Sequence, residues 1–345
     1  MKKKILIIGN NGYLGSYLSL YLNKKNYFCR GIDINYFLNC KLYKEKNLIT
    51  KKKNASKIKD IDIKKFDVVI MLAAFSNDPF RKLKPSMFYN PSEKYTLKIA
   101  KICKKYKIKF IFPSSCSVYG YGNKIFDENS KLKPLTYYSK NKVSIEKKLL
   151  KIGNKNFKPI ILRLATVFGI SPRMRFDIVL NMFCGMAISQ KKIFLNSNGL
   201  SWRPNIHIID VCKSIKYFIE NDCVKHKNLI FNIGINENNK KVIDLANKVK
   251  NRIKKCKIHF LNKSGNSIFL DKKIQDGVDK RSYIVSFNKI KKLTPSLKLD
   301  YTLEKGIKKT IKDLKKIKLD KKKFTSIKFY RLQMYEKLFK NKSFI

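Results

Sequence analysis

Tyr138 and Lys142 stand four residues apart in the run Tyr-Ser-Lys-Asn-Lys. In a helix that spacing puts both side chains on one face. An ammonium beside a phenol favours its ionisation, and a phenolate can act as a general base near neutral pH. The same lysine can hold a ribose hydroxyl. In a chain rich in Lys and Tyr the pattern alone arises by chance. Its weight comes from Ser114-Ser115-Cys116-Ser117, a hydroxyl-rich run one loop upstream, where an apolar segment ends. In parallel α/β sheets, sites form at the carboxyl ends of strands.

A second group opens the chain. The apolar run Ile5–Ile8 leads into Gly9, Gly12 and Gly15 and then an amphipathic stretch. This arrangement suits a pyrophosphate. The first glycine permits a tight turn, the second lets the backbone approach phosphate oxygens, and the third lets helix and strand pack closely. The helix start adds free N–H groups and partial positive charge. An ordinary βα turn is the alternative reading. Asp33 follows Gly15 by 18 residues, at the end of the next apolar segment. A carboxylate there can accept both ribose hydroxyls of an adenosine and repels a 2′-phosphate, which favours NAD over NADP. A loop aspartate at the surface remains the alternative.

The elements that must position these groups alternate. Strands are expected at Tyr27–Ile32, Asp67–Leu72, Lys109–Phe112 and Pro159–Leu164, and helices at Glu93–Tyr106 and Tyr137–Lys151. That rhythm predicts a Rossmann-type, doubly wound parallel sheet in residues 1–165. From about residue 166 the pattern becomes irregular and richer in Arg, Asn and aromatics. Helices over Asp210–Asn221 and Lys241–Lys254, with strands near Ile230 and Ile258, predict a smaller α/β lobe over residues 166–315, some segments of which return to the first domain. Residues 316–345 read as a basic tail, in which FYRLQMYEKLF is either a docking helix or a surface helix.

Composition bounds the function. The chain has 345 residues, 44% of them hydrophobic, enough for a folded core. Its 78 basic and 24 acidic residues give a formal charge of +54. That field would draw in an anionic substrate and bind polyanions weakly. Lysine is spread along the whole chain and lacks the aromatic and Arg interleaving of a stacking platform, so specific nucleic-acid binding is not expected. Eight cysteines show no CxxC, and three histidines are scattered. Neither a metal site nor a disulfide framework is indicated, and a reducing cytosol is the simple reading. No run reaches the roughly 18 apolar residues of a membrane span.

GNNGYLG, Asp33, Leu72–Ala74, PSSCSVYG and YSKNK follow one another as in the extended short-chain dehydrogenase/reductase family. Within it the chain resembles the NAD-dependent epimerase/dehydratase group that acts on nucleotide sugars. LRLATVFG, WRPNIHIID and DKRSYIVSFNKIKKL carry the resemblance through the second lobe, over residues 3–315. It implies Tyr138 as catalytic base, Lys142 as its partner and Ser115 as the hydroxyl that bonds the reacting sugar oxygen. It implies NAD contacts from Gly9, Asn11, Gly12, Tyr13, Leu14, Gly15, Asp33, Leu72, Ala73, Ala74, Tyr138 and Lys142. Arg203 matches a basic residue that meets the nucleotide diphosphate. To these the residues themselves add Arg173 and Arg175, since arginine suits bidentate phosphate contact. His207 reads as a structural histidine at a helix start, and Trp202 as either a stacking or a core residue.

Three departures from the family pattern shape the expectation. Cys116 and Ser117 stand where 4,6-dehydratases carry Asp and Glu, so dehydration lacks its usual acid–base pair. Met71 replaces a histidine, and Leu164-Ala165 replace an asparagine near the substrate. The reading is therefore an NAD-dependent nucleotide-sugar epimerase, inverting C4 through a 4-keto intermediate. A 4-dehydrogenase or keto-sugar reductase is the alternative within the class. A dinucleotide-binding, RNA-associated protein is the alternative outside it. The resemblance also implies a homodimer through the helices at 84–106 and 137–151, and a place in cell-surface polysaccharide synthesis.

Overall fold

The computed structural model describes residues 3–45, 48–76, 86–222, 229–261 and 281–340. Strand β1 (Lys4–Ile8) buries four of its five residues and runs straight into helix α1 (Tyr13–Lys24). The chain continues through β2 (Phe28–Asp33), β3 (Thr50–Lys52), the short α2 (Asp60–Ile63), β4 (Val68–Met71), α3 (Ser86–Lys105), β5 (Lys109–Ser115) and β6 (Tyr121–Phe126). Then follow α4 (Tyr137–Ile152), β7 (Ile160–Leu164), β8 (Thr166–Phe168), α5 (Val179–Gln190), β9 (Lys192–Leu195), β10 (Trp202–His207), α6 (Ile208–Glu220) and β11 (Ile230–Ile233). The last part comprises β12 (Asn239–Lys241), α7 (Val242–Lys250), β13 (Lys257–Phe260), β14 (Ser282–Val285), α8 (Asn288–Leu293), α9 (Leu303–Lys316), α10 (Lys321–Phe324) and α11 (Arg331–Lys340).

Seven strands form one parallel sheet in the order β11-β7-β5-β4-β1-β2-β3. The all-apolar Val68–Met71 is buried end to end, as a strand covered on both faces must be. The strand order reverses beside β1, so a crevice opens at its carboxyl end, directly over the glycine turn. Two cores flank the sheet. One gathers Leu18, Leu22, Cys212, Ile215 and Phe218 from α1 and α6, the other Ile99, Cys103, Ile145 and Leu149 from α3 and α4. Although β11 starts 65 residues past residue 165, the first domain's expected end, it joins the sheet's edge beside β7.

The second lobe is built from the small sheets β12-β10-β8 and β13-β9 beside a third core, while the β14-β6 pair adds Phe126, Tyr283 and Val285 to the first core. The sequence boundaries hold to a few residues for most elements. Helix α3 starts seven residues earlier than expected and carries Pro91 inside it; Lys84, the expected start of the pairing helix, lies outside the described residues, as does Asp279. Residues 316–340 are not a solvated tail. Phe324, Phe329 and Tyr330 are buried with Phe176 and Phe183 in the third core, while Lys321, Lys322 and Lys328 stay exposed.

Candidate active site

The glycine turn is fixed by sterics. Gly9 has φ +94°, and a Cβ there would lie 2.5 Å from the Ala73 nitrogen. A Cβ on Gly15 would lie 2.2 Å from the Gly9 carbonyl oxygen, so α1 can pack on β1 only without one. Gly12 caps α1, and the space above it is open: a Cβ there would meet only the Gly9 oxygen, at 3.3 Å. Asp33 ties the turn to β2. One carboxylate oxygen accepts from the Asn11 amide at 2.9 Å, the other from the Asn35 amide at 2.7 Å. Burial pushes its pKa up, and those two amides oppose the shift.

Two cavities meet over this turn. The larger, about 450 Å³, is lined by Gly9, Gly12, Tyr13, Leu14, Gly15, Leu72 and Ala74 on one side. On the other side it is lined by Ser115, Ser117, Tyr138, Lys142, Arg175 and Arg203. The smaller, about 370 Å³, is lined by Asp33, Ala73 and Lys53 and shares Gly9, Gly12, Leu72 and Ala74. Thus most of the expected residues border one continuous cleft. Asn11 borders neither cavity; its backbone N–H donates to Asp33 and its side chain turns to Asn35. Tyr13 sends its hydroxyl into the second lobe, donating to the Gly169 carbonyl at 2.7 Å.

Ser115 ends β5, and its hydroxyl accepts from the Ser117 amide at 3.1 Å. Tyr138 and Lys142 sit in the first turns of α4, whose start is held by reciprocal bonds between Thr136 and Ser139. Lys142 is buried; its Nζ donates to the Pro113 carbonyl at 2.9 Å and lies 5.8 Å from the centre of the Tyr138 ring. Burial pushes its pKa down to about 8, against the pull of Glu146. Below the site, Glu146 is clamped by Arg163 at 2.8 Å and accepts from Ser114, and Arg163 donates to the Tyr119 hydroxyl at 3.0 Å. This buried network locks β5, α4 and β7 together under the face that carries Ser115, Tyr138 and Lys142.

Cys116 is turned away from the cleft. Its Sγ donates to the Arg163 carbonyl at 3.2 Å, and burial holds the thiol protonated. The Ser117 hydroxyl is buried, borders the larger cavity and has no hydrogen-bond partner. His207 caps α6, and burial pushes its pKa down to about 3, as befits a structural neutral imidazole.

The three arginines part company. Arg203 borders the cavity, donating to the Trp202 carbonyl at 2.8 Å. Arg175 also borders it, held by Asp177 at 2.9 Å and donating to Ser76. Arg173 does not. It is 1% exposed and pairs with Glu45 at 2.7 Å, which pins the loop after β2 to the second lobe. A buried acid 128 residues upstream gave no signal in the local sequence. Sequence reasoning also missed Ser117, Arg281, Arg331 and Tyr335, all of which border the larger cavity. For the last two a signal existed: their i, i+4 spacing inside FYRLQMYEKLF puts them on one helical face. Among the described residues no group of His, Cys, Asp and Glu could hold a metal ion, and no helix is long and apolar enough to cross a membrane.

A model of the NAD-dependent epimerase/dehydratase family matches residues 5–234, from β1 through β11. The chain belongs to this family. The chain is 26% identical over 258 residues to a dTDP-D-glucose 4,6-dehydratase of Dictyostelium discoideum, covering 67% of this chain and 58% of that protein. It is 30% identical over 326 residues to an uncharacterized protein of Methanocaldococcus jannaschii, covering 89% and 94%. The fold matches that of a UDP-glucuronic acid 4-epimerase from Bacillus cereus in complex with NAD, with TM-score 0.70, 21% identity and coverage of 91% and 96%. The family's cofactor is NAD. The site fits it: the turn is open above Gly12, Asp33 borders the smaller cavity, and Ser117 and Arg331, which border the larger, each carry a buried polar atom without a hydrogen-bond partner.

Proposed function

We propose that the chain is a nucleotide-sugar epimerase that inverts C4. The observation that carries this reading is the make-up of the larger cavity. Ser115, Ser117, Tyr138 and Lys142 border it together, while the one carboxylate that borders it among the described residues, Asp177, is held by Arg175. Expelling water from the sugar needs an acid and a base beside the keto carbon. Cys116 is protonated and faces away, and Ser117 is a neutral hydroxyl. Oxidation and reduction at one carbinol need only a base, a hydroxyl and the cofactor.

NAD, when bound, would supply the acceptor and donor of the hydride exchanged with the sugar carbinol. Tyr138 removes the carbinol proton as general base and gives it back on reduction. Ser115 donates to the oxygen as negative charge develops there. The Lys142 ammonium favours the phenolate through space and holds the ribose end of the cofactor. Arg203 and Arg281 stand beside Tyr283 where a nucleotide diphosphate can be bound, leaving the sugar free to turn.

The test is Tyr138→Phe assayed with a panel of UDP- and dTDP-hexoses by mass spectrometry and chromatography. Isomers without loss of mass are expected from the parent enzyme. The variant should lose about 10³-fold in kcat with NAD affinity unchanged. A product 18 mass units lighter would assign dehydration instead, and accumulating reduced nicotinamide a net dehydrogenase.

A further inference from the structure

Helix α11 lies across the cleft. Tyr335 is 4% exposed and borders both cavities, where they share Gly9, Gly12, Leu72 and Ala74. Its ring packs edge-on against Phe37 at 5.3 Å and against Phe75 at 5.1 Å. One turn earlier, Arg331 is 3% exposed and borders the larger cavity. Its backbone N–H donates to Asp177, its Nη2 donates to the Arg173 carbonyl at 3.1 Å, and its guanidinium lies 3.9 Å over the Phe37 ring. Its Nη1 is buried with no hydrogen-bond partner.

A buried guanidinium nitrogen without an acceptor is unfavourable. Burial and the nearby Arg175 charge both act against the Arg331 cation. Among the described residues the larger cavity is bordered by Lys142, Arg175, Arg203, Arg281 and Arg331 and by the acid Asp177. Such a lining favours an anionic ligand. Its arginines occupy two places. Arg203 stands by Tyr283, whereas Arg331 stacks on Phe37 just beyond β2 and its charge reaches Asp33. Arg331 is therefore on the side of the glycine turn, where a dinucleotide carries its diphosphate.

We propose that α11 is the roof of the dinucleotide site, with Arg331 donating to the diphosphate of NAD and Tyr335 closing the neck above it. Phosphate oxygens supply the acceptor that Nη1 lacks and neutralise the repulsion between Arg331 and Arg175. The glycine turn approaches the diphosphate from below with backbone N–H groups, and α11 approaches from above with a side chain. A cofactor so enclosed leaves only when α11 lifts, so NAD stays bound between turnovers. The inference rests on NAD as cofactor and not on which sugar is turned over.

The experiment is a set of calorimetric titrations of the full chain and its Arg331→Gln and Arg331→Lys variants with NAD, ADP-ribose, AMP and UDP. Arg331→Gln should weaken NAD and ADP-ribose by about tenfold or more, the range for a charge-assisted hydrogen bond. AMP and UDP should change less than about twofold, and Arg331→Lys should recover part of the loss. Loss confined to UDP would assign Arg331 to the substrate's diphosphate and overturn the proposal, as would unchanged NAD affinity. Equal loss for all four ligands would mark a purely structural role and overturn it too. A parent chain that binds UDP but not NAD would refute the cofactor reading itself. Trypsin adds a readout that needs no variant. Saturating NAD, but not UDP, should slow cleavage after the exposed Lys337 about tenfold, because a roof closed on its ligand opens less often. Cleavage indifferent to NAD would sink the roof.

Discussion

The two ends of the chain meet over the same cleft, and they work in opposite ways. The turn from Gly9 to Gly15 acts by what it lacks. A Cβ at Gly15 would collide with the Gly9 carbonyl, so the turn exists because side chains are missing. Helix α11 acts by what it carries, an aromatic ring and a guanidinium set down on residues from distant segments. The turn is a local steric arrangement and is rigid. The helix is held by side-chain contacts to separate segments, and as the proposed roof it lifts to release the cofactor. A binding site made from both can be firm on one side and releasable on the other.

The largest expected effect lies on the rigid side. Gly15→Ala should abolish measurable NAD binding and lower the thermal midpoint, since α1 must shift off β1 to admit the methyl group, an overpacking cost of about 1–3 kcal/mol. A variant with near-normal NAD affinity would break the contrast at its firm end. Next comes the floor between the two ends. Lys142 is charged below pH about 8 and neutral above it, so kcat should fall as pH rises through that value, up to about tenfold per unit. Stability should move the other way. The folded pKa lies below that of an unfolded lysine, so the unfolded chain holds the extra proton between pH about 8 and 10.5, and stability rises with pH across that window. Lys142→Met should remove both trends, as pH-resolved kinetics and melting curves would report.

Smaller effects belong to the movable side. Tyr335→Leu keeps much of the buried volume but loses the ring contacts, and should speed NAD release severalfold in stopped-flow displacement while leaving the turn intact. Release no faster than in the parent would mean that the neck is closed by Phe37 and Phe75 alone. The smallest change in stability is expected at Ser117→Ala. Its hydroxyl has no partner to lose, so the unfolding free energy should stay within about 0.5 kcal/mol of the parent. kcat/KM should fall several-fold if that hydroxyl meets the sugar.

The parallel sheet was legible because its strands are short apolar runs punctuated by Gly, Pro and Asp, and their ends fell within a few residues of Ile5–Ile8 and Pro159–Leu164. The pairing of Tyr138 with Lys142 was legible for the same local reason, helical spacing. Arg173 was misplaced because arginine in a loop near a site looks the same whether it meets a phosphate or Glu45. The start of α3 was misjudged at Pro91, which ordinarily ends helical expectation. The C-terminal segment looked like a tail because its lysines dominate the composition. Its buried face among the described residues is Leu319, Phe324, Phe329, Tyr330, Arg331 and Tyr335.

The sequence by itself determined the glycine turn, the acid at the end of β2 and the Ser-Tyr-Lys set, because each depends on spacing within a strand, turn or helix. Only the tertiary structure decided that Cys116 faces away, that Arg173 is spent on Glu45, and that α11 covers the cofactor cleft. Those outcomes turn on contacts between residues far apart in the chain, where burial and an available partner, not local pattern, select one arrangement from many.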